Sequence, residues 1–423
     1  MKFENLKEIL KEFQQKYRET TPLKVTDIKR ILADYPNEYV PVIFPSSWIN
    51  GLGILRGLGR EGLKSIVMDH KVDALCFYSK YAIPYQLPCD PIMESGKKEQ
   101  TLESLMTIGN MIQQMGKSAV LMLTDSENLL DFVIRNFDDL SNLFVFSADY
   151  RKQKKLEDKK VQLSIADECG VSIPNSYFVS SQDEFNKISP QMKYPLIIKP
   201  RGGKEFYREF GHQAIKVSTQ EDCEKIYKKV KSFDLIFQEE IPGPDENLYT
   251  LGSYCDRNSE PKAIFVGKKL KNNRGFGTCE MGISCEDPEV AKLGLRILKH
   301  VGYWGASQVE FKKDTRDGKY KLIEINNRLW KWHSLAIDSN VNIPYIQYLD
   351  AIGMSLKNVP IQENGILWWL SLHDIATTIK EKNLSGLDLI KYLGDIDLDF
   401  VDAIGSIDDP LPFLVNFFKF MWV

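Results

Sequence analysis

The sequence predicts an α/β protein, with separated strands and helices (α+β) in its second half, and two patterns carry this prediction. The first is a strand, a glycine-rich turn, a helix and a strand between Tyr39 and Asp69, which is the order of a βαβ unit. The second is a β-hairpin with predicted strands at Ala306–Lys312 and Tyr320–Asn326, the first of which alternates apolar and polar residues. The chain has 423 residues, 43% of them hydrophobic, and this length predicts two to three domains.

Composition excludes several classes of protein. The net charge of −3 gives no general attraction to nucleic acid or to an anionic membrane, and the basic run at 151–160 is interpreted as a solvated helix face. No stretch reaches the roughly 18 apolar residues of a membrane span, and the N-terminus has no apolar signal region. The seven cysteines are scattered and form no CxxC pair, which indicates reduced thiols. A cytoplasmic protein is therefore expected, without a nucleic-acid partner or a membrane span.

The first third of the chain predicts helices followed by a Rossmann-like domain. Apolar residues at helical spacing predict an N-terminal helical extension over residues 1–38. Residues 39–150 predict the Rossmann-like domain, with further strands at 117–123 and 143–147. Its glycines do not match the dinucleotide fingerprint G-x-G-x-x-G, because Arg56 occupies the third glycine position.

A lysine at the end of a buried strand is the next chemical signal. A helix predicted to end at Gly170 is followed by an extended segment from Pro174 and by a helix capped at Ser181. Further helices are predicted to begin near Ser218 and Thr219 and at Asp287. The strand YPLIIKP then ends with Lys199 at a glycine-containing loop. A lysine placed there can reach phosphate oxygens while the loop N–H groups cradle them.

The hairpin itself carries the most specific signal. Its first strand places Glu310 on the face opposite Val309 and Phe311, and its second strand places Glu324 and Asn326 on one face. Two carboxylates and an amide carbonyl form an oxygen-only set that suits Mg²⁺, and Arg328 adds a guanidinium for an anion. The alternative for such a short motif is an exposed hairpin with solvated acids.

The order of these motifs resembles that of the ATP-grasp superfamily over residues 40 to 352. Five motifs carry the resemblance: Lys159, Lys199, the strand from Gln238 to Ile241, Glu310, and Glu324-x-Asn326-x-Arg328. The resemblance implies an ATP-grasp domain at 151–352, with a lid at about 171–237. It implies a Rossmann-like pre-ATP-grasp domain at 39–150, and it leaves 353–423 as a C-terminal extension.

The resemblance also implies a role for each matching residue. The residues expected to bind ATP are Lys159 (with Lys160 as its alternative), Lys199, Gln238, Glu239, Ile241, Asp245, Glu246 and Lys268. The residues expected to hold Mg²⁺, with Mn²⁺ as an alternative, are Glu310, Glu324 and Asn326. The residues expected to assist catalysis are Arg328, Lys199 and Arg274, with Lys269 as a further basic candidate near the phosphates.

The resemblance is strongest to the carboxylate–amine ligase branch, which includes D-aspartate ligase-like proteins. It implies that ATP activates a small-molecule carboxylate as an acyl phosphate, which an amine then attacks with release of ADP and phosphate. A homodimer is a further expectation. Two alternatives stay open: a non-catalytic ATP-binding regulatory protein, and a small-molecule kinase of the same fold.

Two loops and one histidine each have a functional and a structural interpretation. The loops at 46–53 and 124–127 either line the substrate cleft, as the resemblance implies, or are ordinary turns and helix caps. His333 is interpreted as a hydrogen-bonded core histidine rather than a substrate contact.

Overall fold

The computed structural model describes residues 22–46, 48–90, 98–124, 127–202, 205–273, 278–382 and 399–421. The chain divides into two compact units. The first comprises 1–147, 344–357 and 402–423, and the second comprises 148–343 and 358–401. The residues after 352, predicted as one extension, are thus shared between both units. The first predicted helix of the N-terminal extension, from Phe3 to Phe13, lies outside the described residues.

The secondary structure alternates helices and strands along most of the described chain. The strands are β1 Tyr39–Phe44, β2 Ser65–Asp69, β3 Ala82–Gln86, β4 Ser118–Leu123, β5 Phe144–Val145, β6 Ser176–Val179, β7 Leu196–Pro200, β8 Ile215–Val217, β9 Leu235–Glu239, β10 Leu248–Cys255, β11 Pro261–Asn272, β12 Cys279–Ser284, β13 Gly305–Lys313, β14 Tyr320–Asn326, β15 Leu367–Trp369 and β16 Phe400–Asp402. The α-helices are α1 Val25–Ala33, α2 Trp48–Gly59, α3 Lys98–Gln114, α4 Glu127–Arg135, α5 Phe137–Ser141, α6 Tyr150–Lys155, α7 Lys159–Glu168, α8 Gln182–Ile188, α9 Glu205–Phe210, α10 Gln220–Val230, α11 Pro288–His300, α12 Ser334–Asp338, α13 Ile343–Ala351, α14 Ser371–Lys382 and α15 Leu411–Met421.

The first unit is built on a parallel five-stranded sheet in the order β3-β2-β1-β4-β5. Its central strand β1 is buried from Val40 to Phe44, as expected for a parallel strand covered on both faces. The predicted βαβ unit is present as β1, α2 and β2. Each of the two loops proposed to line a cleft includes positions outside the described residues, namely 47, 125 and 126.

The glycine at position 51 is explained by close packing at the start of α2. A β-carbon added to Gly51 would lie 2.5 Å from the carbonyl oxygen of Ser46, closer than any side chain can approach. The same carbonyl accepts a hydrogen bond from the Cys76 thiol at 2.9 Å. A glycine is therefore needed here for a tight strand-to-helix turn, and this packing explains it without a role in nucleotide binding.

The end of the chain belongs to the first unit. Helix α15 packs on the short 3₁₀ helix Leu75–Tyr78. Just before it, Asp409 forms an ion pair with Arg56 on α2 at 3.0 Å, and the two side chains are 1% and 7% exposed. Asp409 also accepts a hydrogen bond from the backbone N–H of Lys80 at 2.9 Å. This buried pair ties the C-terminal segment to the parallel sheet and its helices.

The second unit contains a seven-stranded sheet in the order β14-β13-β10-β11-β12-β15-β16. One face carries Leu251, Val309, Phe311 and Leu322, which pack against α11 to form an apolar core. The residues between them, such as Thr250 and Glu310, point to the other face, because successive side chains of a strand alternate. That polar face carries the candidate site.

The predicted hairpin is confirmed as β13 and β14, and its second strand has the predicted bounds. Glu310 lies opposite Glu324, and Gln308 lies opposite Asn326. The expected helix after Asp287 is also present, as α11, with the Asp287 carboxylate accepting from the N–H of Val290 at 3.0 Å.

A second, four-stranded sheet in the order β6-β9-β7-β8 occupies the segment predicted as the lid. Phe185 of α8 and Tyr227 of α10 stack at 3.8 Å and pack against Phe237 of the sheet. Both helices have the predicted caps: Ser181 accepts from the N–H of Glu184, and Thr219 accepts from that of Asp222. The segment thus has its own hydrophobic core.

The described part of the segment 358–401 extends the seven-stranded sheet. Strand β15 pairs antiparallel with β12, placing Trp368 opposite Gly282, and α14 follows it directly. No described helix has the length and apolar character needed to cross a membrane. All seven cysteines are free thiols.

The buried pair Arg56–Asp409 generates a stability prediction. Asp409→Ala leaves a buried guanidinium without its partner, and we expect a loss of about 3 to 5 kcal/mol in the free energy of unfolding. Asp27→Ala is the matched control, because Asp27 pairs with Arg30 on the surface, where the two side chains are 40% and 83% exposed, and should cost less than about 1 kcal/mol. Urea unfolding measures both, and equal losses would contradict the role given to Asp409.

Candidate functional site

The candidate site is centred on two carboxylates that face each other across the hairpin. Glu310 of β13 and Glu324 of β14 are cross-strand partners. Two like charges placed directly opposite one another repel, and such a pair needs compensating cations. The structure supplies a lysine to each of them.

Each carboxylate is paired with a lysine from another element. Lys269 of β11 lies 2.7 Å from Glu310 Oε1, and both side chains are about nine-tenths buried, at 9% and 10% exposed. Lys159, the first residue of α7, lies 3.0 Å from Glu324 Oε1 in a more open position. Burial on its own lowers the pKa of Lys269, but the charges of Glu310, Cys279 and Glu324 and the hydrogen bond to Glu310 together outweigh it and raise that pKa above its usual value.

The position of Lys159 is held by its own helix. Asp158 caps α7 by accepting from the N–H of Lys160, and it also forms a two-pronged ion pair with Arg201. The side chain of Gln162 donates to the carbonyl of Ile325 and accepts from its N–H, at 2.8 and 2.9 Å. Because Ile325 follows Glu324, this bidentate contact fixes helix and strand together. Lys160 instead lies over the ring of Phe178, so Lys159 is the lysine that faces the site.

Lys199 approaches the same carboxylates from the four-stranded sheet. Its Nζ donates to Gln238 Oε1 at 2.8 Å, and Gln238 in turn donates to the Ser176 hydroxyl at 3.0 Å. Burial, with the nearby charge of Lys159, lowers the pKa of Lys199 to about 8, although Glu324 and Glu310 oppose the shift. Lys199 is therefore charged at neutral pH but loses its proton not far above it.

The electrostatics of Glu324 show how strongly the cations act together. Burial alone would raise its pKa, yet the charges of Lys159, Lys199 and Arg328 lower the pKa of Glu324 to about 2. Arg328, four residues after Glu324, is thus close enough for its charge to act on this predicted metal ligand. Four cations (Lys159, Lys199, Lys269 and Arg328) surround two carboxylates, an excess of positive charge that suits a polyanion.

A chain of hydrogen bonds orders the polar face. Asn326 Nδ2 donates to Gln308 Oε1 at 3.0 Å, and Gln308 Nε2 donates to Glu310 Oε1 at 2.9 Å. Thr250 accepts from the same amide at 3.2 Å. The Asn326 bond uses its amide nitrogen and not its carbonyl oxygen, which is the atom a cation would bind. Sequence reasoning missed Gln308, although its spacing of two from Glu310 put it on the same face.

The expected adenine strand is β9 and the residues after it. Gln238 is 3% exposed and is engaged with Lys199 and Ser176. The N–H of Glu239 donates to Asn175, and its carboxylate pairs with Arg316 at 2.5 Å. Ile241 is buried. The side chain and the backbone N–H of Glu239 are therefore engaged within the protein, which leaves its carbonyl oxygen as the group that could contact an adenine.

The two candidates for a ribose contact differ in exposure. Asp245 is partly buried at the start of the 3₁₀ helix Asp245–Asn247, where its Oδ2 accepts from the N–H of Asn272 at 3.1 Å. Glu246 is exposed in the next position. The carboxylate of Asp245 is the better held of the two.

Of the basic candidates on β11, the structure brings Lys269 and not Lys268 to the carboxylates. Adjacent residues of a strand point to opposite faces, and Lys268 lies near Cys285, where its charge lowers the pKa that burial raises in that thiol. Lys269 is therefore the lysine of this strand that faces the carboxylates. Arg274 lies outside the described residues.

His333 is a core residue, as interpreted from the sequence. It is fully buried, and its Nδ1 is 2.7 Å from the carbonyl of Trp330. Burial lowers the pKa of His333 to about 4, so the ring is neutral at physiological pH.

A second polar cluster lies on β12 and α14. Glu280 is 1% exposed at its side chain; its Oε1 pairs with Lys331 at 3.3 Å and its Oε2 with His373 Nδ1 at 3.1 Å. Lys331 also donates to the Thr278 hydroxyl at 3.0 Å. Sequence reasoning missed this cluster, since its members come from three separate parts of the chain.

The donor set at the hairpin fits a magnesium ion. Glu310, Glu324 and the carbonyl oxygen of Asn326 are hard oxygen ligands. No group of three or more His, Cys, Asp and Glu side chains in the described part of the chain is arranged to hold a metal. A cation here would therefore complete its shell with phosphate oxygens and water, which is how Mg²⁺ is commonly bound beside a nucleotide.

A family profile and a curated relative match this chain. The profile described as "Carbamoyl-phosphate synthase L chain, ATP binding domain" matches residues 286–357, which include the hairpin. A D-aspartate ligase from Enterococcus faecium is 22% identical over 310 residues, or 69% of this chain and 71% of that protein.

Solved structures share the fold over most of the chain. A biotin carboxylase from Campylobacter jejuni, solved as a β-γ-ATP complex, superposes with a TM-score of 0.61 at 18% identity, over 78% of this chain and 74% of that one. The chain shares the fold of this structure. An N5-carboxyaminoimidazole synthetase from Staphylococcus aureus superposes with a TM-score of 0.61 at 15% identity, over 82% of this chain and 86% of that one. The predicted ATP-grasp fold is confirmed, and the ligases among these relatives agree with the expected enzyme class.

The lowered pKa of Lys199 generates a prediction for nucleotide binding. Only the protonated lysine attracts phosphate, so raising the pH through about 8 should weaken ATP affinity, by about tenfold between pH 7 and pH 9. Lys199→Arg should flatten this dependence, because a guanidinium stays charged. Calorimetric titration measures the affinity, and Lys160→Ala, outside the site, should keep the wild-type profile. A wild-type affinity that is constant over this range would show that the Lys199 proton is not linked to binding.

Proposed function

We propose that this ATP-grasp protein is an ATP-dependent carboxylate–amine ligase that forms an amide bond through an acyl phosphate and releases ADP and phosphate. The observation that carries the proposal is the excess of cations around the facing pair Glu310 and Glu324. Polyphosphate with its metal ion is the ligand whose charge this arrangement matches. The similarity to a D-aspartate ligase supports the amide-forming reaction.

In the first step, the site must hold the negatively charged substrate carboxylate next to the phosphates of ATP. An oxygen of the substrate carboxylate attacks the γ-phosphorus of ATP, and the bond from that phosphorus to the bridging oxygen of ADP breaks. Lys199, Lys269 and Arg328 are placed to offset the repulsion between the carboxylate and the phosphates. Lys159 and Lys269 release Glu324 and Glu310 as they turn towards phosphate oxygens. Bound Mg²⁺, held by Glu310, Glu324 and Asn326, would supply charge neutralisation and orientation of the phosphates.

The second step transfers the acyl group to nitrogen. The amine attacks the acyl carbon, and the carbon–oxygen bond to phosphate breaks with its electron pair leaving on phosphate. No nucleophilic side chain is needed for either step. A closed site is required instead, because water would hydrolyse the acyl phosphate. The separate four-stranded sheet that carries Lys199 supports its proposed role as the lid, residues about 171–237.

The proposal extends to the setting of the reaction. It takes ATP and Mg²⁺, or Mn²⁺, as cofactors, and a small amino-acid-like carboxylate and an amine as the other partners. Lys159, Lys199, Gln238 and Ile241, with Asp245, are proposed to bind the nucleotide. A cytoplasmic location and a homodimer belong to the same proposal.

Trapping of the intermediate with hydroxylamine tests the proposed reaction. D- and L-amino acids and small dicarboxylic acids are screened as the carboxylate, with ATP, Mg²⁺ and hydroxylamine. We expect ADP, phosphate and a hydroxamate, because a strong uncharged nucleophile intercepts an acyl phosphate. A kinase acting on a hydroxyl would instead give ADP and a stable phosphate ester. A protein that only binds ATP would give neither product, and AMP in place of ADP would overturn the mechanism.

Removal of one carboxylate charge should stop the reaction without unfolding the protein. Glu324→Gln keeps the shape of the side chain but removes a metal ligand, so we expect the rate of ADP release to fall at least ~100-fold. Asp317→Asn changes an acid in the turn of the same hairpin and should leave the rate unchanged. Wild-type turnover in Glu324→Gln would remove this hairpin from the active site.

A further inference from the structure

The pair formed by His373 and Glu280 has the construction of a proton-accepting dyad. Glu280 is 1% exposed, while the His373 side chain is 37% exposed, and Nδ1 lies 3.1 Å from Glu280 Oε2. The other carboxylate oxygen is paired with Lys331 at 3.3 Å, so a cation lies beside the buried carboxylate. One end of the imidazole is therefore anchored on a buried anion, and the other end is partly open.

The anchoring carboxylate decides which ring nitrogen is basic. An ionised carboxylate can only accept hydrogen bonds, so Nδ1 of His373 must carry the hydrogen that it donates to Glu280. The neutral ring then has its lone pair on Nε2, the nitrogen not held by Glu280. Nε2 is therefore the ring nitrogen that can accept a proton.

The dyad belongs to the same sheet as the candidate site. Glu280 lies on β12, which pairs with β11, the strand of Lys269. The Cys279 thiol, next to Glu280, lies close enough to the dyad and to the candidate site to feel charges from both. Burial raises the pKa of Cys279. Lys269 and Lys331 lower that pKa, and Glu310 and Glu280 raise it further. Lys331, the cation on Glu280, is three residues from Arg328, a span of at most about 10 Å of chain. Asp374, the residue after His373 on α14, pairs with Lys271 of β11.

We propose that His373, positioned by Glu280, is the group that takes the proton from the attacking amine; the inference rests on the proposed ligase function. An amine reaches the site as an ammonium ion, which has no lone pair to attack with. Nε2 takes one proton, and the free amine attacks the acyl carbon. The carbon–oxygen bond to phosphate breaks, and the departing phosphate takes the second proton from nitrogen. The products are an amide and hydrogen phosphate, and the partly exposed imidazolium returns its proton to water.

Two small acceptors separate this role from a structural one. Ammonium chloride provides an acceptor that must lose a proton, whereas hydroxylamine is uncharged at neutral pH and needs no base. Full-length wild type, His373→Gln and Glu280→Gln are compared with the acid and ATP that give hydroxamate in the wild type. We expect His373→Gln to lose about 100-fold in formation of the primary amide and to keep its rate of hydroxamate formation within about threefold. Glu280→Gln should lose less of the amide reaction and also retain the hydroxamate reaction.

The control is another histidine–carboxylate pair in the same unit. His300 lies 3.4 Å from Glu168 with both side chains about half exposed, and His300→Gln should change neither reaction. Equal loss of both products in His373→Gln would assign His373 a structural role and overturn the inference. Unchanged amide formation in that variant, or a wild type that makes hydroxamate but no amide from ammonium, would also overturn it. A wild type without hydroxamate would instead refute the proposed ligase function.

Discussion

The repulsion between Glu310 and Glu324 is the constraint on which the rest of the second unit depends. Two carboxylates held opposite each other on neighbouring strands are stable only beside positive charge. The fold meets this need from three directions: Lys269 comes from the same sheet, Lys159 from the start of a helix, and Lys199 from the four-stranded sheet. Three elements that are far apart in the sequence therefore place a lysine beside the same two carboxylates.

This arrangement gives the site two ways of balancing its charge. Without nucleotide, the lysines neutralise the carboxylates directly. With a metal ion on the carboxylates and phosphates beside it, the same lysines would pair with the phosphates, and no charge would be left uncompensated. The lowered pKa of Lys199, caused first by burial and then by the neighbouring Lys159, indicates how closely the cations are packed before an anion arrives.

The scaffold keeps the chemistry on one face of the large sheet. Val309 and Phe311 bind β13 to the apolar core around α11, while Gln308 and Glu310 face the site from the same strand. The segment at 358–401 continues this sheet through β15 and adds α14, and with it His373. A part of the chain that carries no recognisable motif thus contributes to the polar face.

Local pattern alone was enough to predict much of this protein. The residue pattern predicted the second hairpin strand with its bounds, the first strand to within one residue at each end, and the face on which Glu310 lies, because side chains of a strand alternate whatever the tertiary context. Caps at Ser181, Thr219 and Asp287 predicted where helices begin, since each supplies an oxygen to the first turn. The order of motifs from Lys159 to Arg328 predicted the ATP-grasp fold.

Only the tertiary structure showed that Lys269, and not Lys268, faces the carboxylates. It also paired the Glu239 carboxylate with Arg316 and His373 with Glu280, and it divided the residues after 352 between two units. These are contacts between residues far apart in the chain, and their partners are set by the packing of whole elements, which no local pattern encodes.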